Sequence, residues 1–264
     1  MVKYKELQDS HIVLVGHIIT EKIMQLSNRL QAVADLVTPG NRVADIGCDH
    51  AYTSIYLVEV GKSPYVISMD VNQGPLERAK ENIIRYGYRN RIDIRRSNGL
   101  EKLDAGEVDT LLIAGMGGGL TLQILSENRD IVASVSEMVL QPQSEINLVR
   151  KALSTFGFLI TDENMIKEDG KYYVCMKAEA YSKVSDTQLY ELTKQEHFCF
   201  GRLLLERKNP VLREYLEKEK QQCENIFETL IAFPTNQSLL RQQEISEEIR
   251  LIDHGFSYFI ERGV

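Results

Sequence analysis

"FLITDENMIKEDGKYYVCMKAEA", residues 158–180, alternates apolar and polar side chains on both sides of Asp169-Gly170. A period of two puts alternate side chains on opposite faces of a strand. An Asp-Gly pair between two such runs is a hairpin signal, because a two-residue turn needs positive φ at its centre. The stretch therefore predicts a terminal antiparallel hairpin. It closes a series of a different kind.

Upstream, short apolar runs alternate with helical stretches. Strands are expected at 42–47, 65–70, 91–96, 108–115 and 137–142. Helices are expected between them at 51–61, 74–87, 120–128 and 144–157, with Pro75 in a first turn and Ser144 as an N-cap. An amphipathic helix at 26–37, with Leu26, Leu30, Val33, Ala34 and Val37 on one face, precedes the first strand and stops at Pro39-Gly40. Repeated strand–helix units imply an α/β fold, a parallel sheet covered on both faces. A closing antiparallel pair is foreign to a dinucleotide-binding Rossmann domain and is the usual ending of class I methyltransferases.

After Ala180 the pattern changes. Leu212, Leu216, Cys223, Ile226 and Leu230 follow helical spacing, as do Ile245, Ile249, Ile252, Phe256 and Phe259, with "FPTNQ" (233–237) between the two sets. Two long helices folded back as a coiled-coil-like hairpin are expected. Three regions result: an N-terminal extension (1–25), an α/β domain (26–180) and a helical hairpin domain (181–264).

The chain has 264 residues, ample for one good core, and a formal charge of −7. An acidic chain gains nothing from general attraction to nucleic acid, so such a partner needs a local basic patch. Cys48, Cys175, Cys199 and Cys223 are far apart and form no C-x-x-C pair. No metal site is expected, and a reducing cytoplasm is the expected location. "HIVLVGHII" (11–19) is too short to span a membrane, and no small-residue cleavage pattern follows it.

In an open parallel sheet, ligands bind beyond the carboxyl ends of the strands, next to the first strand. "VADIGCDHAY" (43–52) lies there. Its acids, cysteine and histidine could form a nucleophile, a metal site or neither. Cys48 has no thiol partner and no reason to ionise. Gly47 allows a sharp turn and close approach of a ligand, and Asp70, ending the second strand, suits the hydroxyls of an adenosine ribose. "AGMGGG" (114–119) fails the dinucleotide pattern G-x-G-x-x-G because position 120 is leucine. Its alternative is a tight turn with close backbone packing.

Together, "LSNRLQAVA" (26–34), "VADIGCDHAY" (43–52), "GPLERAKEN" (74–82), "SNGL" (97–100), "IAGMGG" (113–118) and "LQPQ" (140–143) resemble the bacterial tRNA (adenine(22)-N1)-methyltransferases of the TrmK type. These are class I S-adenosylmethionine-dependent enzymes, and the resemblance extends through the helical tail. It implies a Rossmann-like sheet that binds S-adenosylmethionine. Asp45, Gly47 and His50 would lie in the first loop, Asp70 at the ribose, Asn98 and Gly99 near the adenine, and Ala114 and Gly115 near the methionine end. The family usually has an acid where Asn98 stands, so a neutral and weaker contact with the cofactor is expected. An amide oxygen still accepts from an adenine amino group.

The implied reaction uses adenine N1 as its own nucleophile, so alignment matters more than a strong base. Asp49, Tyr52 and Gln141 are the catalytic candidates, with His50 and Met116 beside them; Tyr52 could stack on an exposed base. For tRNA, "RYGYRNRIDIRR" (85–96) offers Arg85, Arg89, Arg91, Arg95 and Arg96 with two interleaved tyrosines, opposed by Asp93 alone. From Tyr181 onward, fourteen acidic residues face eleven basic ones, so the tail is no general phosphate clamp. It either reads RNA shape through Arg202, Arg207, Lys208 and Arg213, or packs or dimerises; a monomer or weak homodimer is expected. The competing readings are a methyltransferase for another RNA, a protein or a small molecule, and a non-catalytic RNA-binding protein with a decayed pocket. A NAD-dependent oxidoreductase comes third.

Overall fold

The structure, a computed structural model, describes residues 24–232 and 236–260. The expected extension at 1–25 and the end of the tail fall almost wholly outside them.

The parallel strands are β1 (Val43–Ile46), β2 (Val66–Asp70), β3 (Ile92–Arg96), β4 (Thr110–Ala114) and β5 (Glu137–Gln141). The hairpin is β6 (Phe158–Glu168) and β7 (Lys171–Ala180). The sheet order is β3-β2-β1-β4-β5-β7-β6, and only β7 runs antiparallel to its neighbours. The chain builds outward from β1 to β3, then crosses to β4 on β1's other side. Beyond the carboxyl ends of β1 and β4 lies the crevice such a reversal creates.

Helices α1 (Asn28–Leu36), α2 (Tyr52–Glu59) and α3 (Gln73–Arg85) cover one face. Val33, Ile55, Val58 and Ile83 meet Val43, Val66 and Leu112 there. On the other face, Ala44, Ile67, Leu111 and Met138 share a cluster with Ile124, Leu125 and Val149 of α4 (Gly118–Glu127) and α6 (Ile146–Leu153); the short α5 (Arg129–Ser134) adds Val132. Burial on both faces is why the strands read as continuous apolar runs. Each fully buried Ile or Leu contributes about 1.5–3 kcal/mol relative to exposure.

Ser144 does not cap the helix that follows it. That helix begins at Ile146, with Glu145 as its N-cap residue at φ 51°. Ser144 Oγ instead accepts from Gly118 N–H (3.2 Å), and Glu145 Oε2 from Gly119 N–H (2.7 Å). The pair caps α4, whose glycine-rich start has no side chain of its own for the task.

The tail holds α7 (Arg202–Glu206), α8 (Pro210–Ala232) and α9 (Asn236–Ser257). Contacts of Lys220 with Asp253, Cys223 with Glu248 and Gln242 with Leu230 make α8 and α9 antiparallel. Ile226 departs from the expected seam: it is 43 % exposed, and Phe227, one full turn after Cys223, packs inward instead. The core crosses residue 180, since Leu203, Leu204, Leu212 and Leu216 belong to the sheet's own cluster.

That junction centres on Arg150 and Glu163, both buried, paired at 2.9 Å. Arg150 Nη1 also donates to the carbonyls of Phe198 and Cys199 (2.9 and 3.0 Å). Those carbonyls lie in a one-turn π-helix, His197–Gly201, whose wider turn departs from the α-helical ladder. Gly201 (φ 89°) is required: a Cβ there would fall 2.7 Å from both Glu163 carboxylate oxygens. Burial raises the Glu163 carboxyl above its ordinary range, while Arg150 pulls it back down.

Candidate active site

β1 ends in a tight loop. The amides of Gly47 (φ 74°) and Cys48 both donate to the Met69 carbonyl, at 2.8 and 3.0 Å. Asp49 (φ 45°) and Ala51 (φ 57°) are both left-handed without being glycine. Such residues are uncommon and concentrate where a site over-determines the backbone. Ala51 is also the N-cap residue of α2 and has no side chain to cap it. The first amides of α2 are left for a ligand or water. Asn82 Nδ2 pins the loop by donating to the His50 carbonyl (3.0 Å).

This loop, the β4 end and α1 enclose a hollow of about 250 Å³. Five of the eight residues expected to bind the cofactor line it: Asp45, Gly47, His50, Ala114 and Gly115. Asp70, Asn98 and Gly99 extend the same carboxyl edge, at the ends of β2 and β3, outside the hollow's lining. Asp70 Oδ1 accepts from the Asn72 amide (2.8 Å). Asn98 is exposed, and its amide nitrogen donates to Glu101 (3.0 Å). Because a carboxylate only accepts, this pairing turns the Asn98 nitrogen toward Glu101 and leaves its oxygen as an acceptor.

Asp45 is 4 % exposed. It accepts from Ser54 Oγ (2.6 Å), which in turn accepts from Ser68 Oγ (2.7 Å). Burial pushes its carboxyl up to about 6; the Ser54 hydrogen bond opposes the shift and Asp70 adds to it. Cys48 is buried and its thiol is driven far up, first by burial and then by Asp45. It is no nucleophile at neutral pH.

Arg29 and Gln143 are among the lining residues that were not expected as site residues. Arg29 sits on α1, and its Nη1 donates to Gln141 Oε1 (2.8 Å). Gln143 follows β5. Both belong to quoted motifs, but periodicity does not reveal that α1 lies over the carboxyl edge. Gln141, a catalytic candidate, does not itself line the hollow. It is fully buried, its oxygen is held by Arg29, and its Nε2 has no hydrogen-bond partner among the described residues. Gln141 can position other groups, whereas Gln143 faces the hollow.

Tyr52 and Asp49 remain at the mouth. The Tyr52 ring stacks on His50, with centroids 5.3 Å apart and planes 10° apart, and is 39 % exposed. The exposed Asp49 carboxylate lies 3.3 Å from Arg78 and 3.6 Å from His50. Met116 packs on Gly47, where a Cβ would fall 2.3 Å from its methyl carbon. Of the glycine run, only Gly115 lines the hollow. Gly118 is packed on Ser144, and 117–119 is a closely packed helix start that is already capped, not a phosphate cradle.

The arginine run does not form one patch. Arg85, Arg89 and Arg91 lie at the amino end of β3, away from the hollow, and Arg91 is spent on the Ser63 and Pro64 carbonyls. Arg95 and Arg96 lie at the carboxyl end. Arg95 is bound by Asp93 and also by Glu107, an acid brought in from the loop before β4; Asp93 is therefore not its sole opponent. Arg96 donates to the Val71 carbonyl. In the tail, Arg202, Arg207 and Arg213 pair with Glu206, Asp162 and Glu217, and Lys208 sits exposed in the turn before α8.

Among the described residues, no group of three or more His, Cys, Asp or Glu could hold a metal ion, and no helix is long and apolar enough to cross a membrane. Comparison with known proteins matches residues 26–176 to a methyltransferase domain family. The chain is 32 % identical over 237 residues to the tRNA (adenine(22)-N(1))-methyltransferase of Bacillus subtilis, covering 88 % of this chain and 99 % of that one. The crystal structure of the B. subtilis m1A22 tRNA methyltransferase TrmK superposes with a TM-score of 0.76 at 30 % identity, over 88 % of this chain and 99 % of that one. The structure of M. capricolum TrmK in complex with S-adenosyl-homocysteine gives a TM-score of 0.73 at 28 % identity, over 88 % of this chain and 98 % of that one. The chain belongs to the methyltransferase-domain family and, within it, to the tRNA (adenine(22)-N1)-methyltransferases.

Proposed function

We propose that this protein transfers a methyl group from S-adenosylmethionine to N1 of an adenine in tRNA, at position 22. The observation that carries the reading is the hollow at the β1/β4 crevice, where five of the expected cofactor residues converge beside an open-mouthed Tyr52–His50 stack.

The residues present fit the cofactor. A buried acid, Asp45, and a cation, Arg29, share one lining, which suits the ammonium and carboxylate of a methionine end. Gly47 and Gly115 allow close backbone approach, and Asp70 and Asn98 continue the edge toward a ribose and an adenine. When bound, S-adenosylmethionine supplies a methyl group on a sulfonium, an electrophile that needs no metal.

The protein's own part is alignment and charge. The Tyr52 face is available to stack on an adenine drawn out of the tRNA, which brings N1 to the mouth of the hollow. Asp49, in the same loop, places negative charge where the adenine ring becomes cationic. Gln141, held by Arg29, positions the β5 end from which Gln143 faces the hollow. The helical tail contributes tRNA contacts, and the protein works in the cytoplasm.

The test is incubation of the purified protein with labelled S-adenosylmethionine and unmodified tRNA, followed by nucleoside analysis. Label in 1-methyladenosine is expected. Its absence, with cofactor binding intact, would overturn the reading.

A further inference from the structure

The β6–β7 hairpin reaches past the rest of the sheet. Leu140 pairs with Met176, so Lys171–Val174 and their partners Met165–Glu168 stand beyond the carboxyl edge where the hollow opens. The turn residues Asp169 and Gly170 both have positive φ (49° and 74°), the geometry of a tight, rigid hairpin.

The ribbon has two faces. On one, the Arg29 guanidinium lies 5.7 Å over the Tyr173 ring, and the Arg29 amide meets Glu168 at 3.4 Å. That face adjoins the wall of the hollow. On the other, Tyr172 meets Tyr215 of α8 edge-on at 5.3 Å and donates to Glu214 (3.0 Å). Lys167 pairs with the same Glu214. The Lys167 and Lys218 ammonium groups each lie 5.4 Å from the Tyr172 ring centroid. The hairpin thus joins the hollow to the tail.

We propose that this ridge carries the RNA backbone from the tail to the hollow, with Lys167 and Lys218 contacting phosphates beside Tyr172 and with Lys171, which stands opposite Glu168 on the Arg29 face of the ribbon, contacting one on the hollow side. The inference rests on the reading of tRNA as substrate. A chain of net charge −7 must concentrate its cations locally to hold RNA. Of the nearby acids, Glu168 is turned to Arg29 and Glu217 to Arg213, while Asp169 is at the tip. Glu214 shares its carboxylate with Lys167 in an exposed pair, weak enough to open for a phosphate. Arg85 and Arg89, by contrast, lie beside β3, at the opposite edge of the sheet and away from its carboxyl end.

The experiment uses the full chain and an unmodified tRNA transcript, with affinity measured across a salt series. The variants are Lys171→Gln/Lys218→Gln, which spares the Lys167–Glu214 pair, Lys167→Gln, and Arg85→Gln/Arg89→Gln as a control. The lysine double variant is expected to bind tRNA about tenfold more weakly. Its salt slope should flatten by about 1.5, the equivalent of two lost phosphate contacts. Its melting temperature and S-adenosylmethionine affinity should be unchanged. Lys167→Gln should show the same effect at about half the slope change, and the arginine control none. Lysine variants with wild-type affinity and slope, on a wild-type protein that methylates tRNA, would overturn the ridge and leave the substrate reading standing. Loss confined to the arginine control would overturn it in favour of the β3 edge. A wild-type protein that neither binds nor methylates tRNA would sink the substrate reading, and the ridge with it.

Discussion

Asp45 is a stability liability with a functional use. Its folded carboxyl is pushed up to about 6, above the ordinary value of about 3.9 for an aspartate. The folded state therefore holds the proton more tightly than the unfolded chain does. The resulting cost appears as pH rises through about 4 and is complete above 6, at about 3 kcal/mol. Asp45→Asn carries no charge to bury. It should match the wild type near pH 4 and gain stability up to pH 7, as read by urea unfolding across that range. The same variant should bind S-adenosylmethionine about ten- to a hundredfold more weakly, having lost the partner for a cation. A pH-independent advantage would contradict the assignment. Arg29→Ala should also weaken the cofactor, measured by calorimetry. It should cost about 1–3 kcal/mol of stability too, because the buried Gln141 side chain would lose the Arg29 hydrogen bond. At this scale, the convergence of Asp45, Gly47, His50, Ala114 and Gly115 on one hollow was legible because strand–turn positions set where they fall. The place of Arg29 was not, because it depends on how α1 packs across the sheet, and neither was the burial of Gln141, because strand position alone does not tell an open end from a covered one.

Among elements, the terminal hairpin was the most legible. Alternation and an Asp-Gly turn are local signals, and β6 and β7 flank Asp169-Gly170 as expected. The joint between sheet and tail was invisible. The π-turn at His197–Gly201 is held by Arg150, 48 residues from Phe198, and no local propensity encodes such a partner. Ser144 failed as a cap for a related reason, since its hydroxyl serves a helix 26 residues earlier in the chain. The joint can be weighed. Arg150→Met would strand the buried Glu163 carboxylate and two carbonyls, and should cost about 3–5 kcal/mol in denaturant unfolding. A loss below about 1 kcal/mol, within the range of an exposed ion pair, would mean the pair does not hold the tail in place.

At the scale of the whole molecule, the sequence separated an α/β domain from a helical tail at residue 180, yet one core runs through both. The consequence is mechanical. The tail is seated on the outer edge of the sheet through β6, α7 and the base of α8, and the protruding hairpin lies between it and the hollow. A substrate large enough to touch both tail and hollow is the kind this layout suits, and a folded tRNA is such a substrate. The arginine run suggested a different approach because sequence shows that cations are close along the chain but not that a strand separates them to opposite ends. The most direct measurement is the position of the methyl group. The full-length protein, labelled S-adenosylmethionine and an unmodified tRNA transcript should yield 1-methyladenosine at nucleotide 22, and a transcript with that adenine replaced should yield none. Label at another nucleotide, or no label while the cofactor binds, would contradict the account.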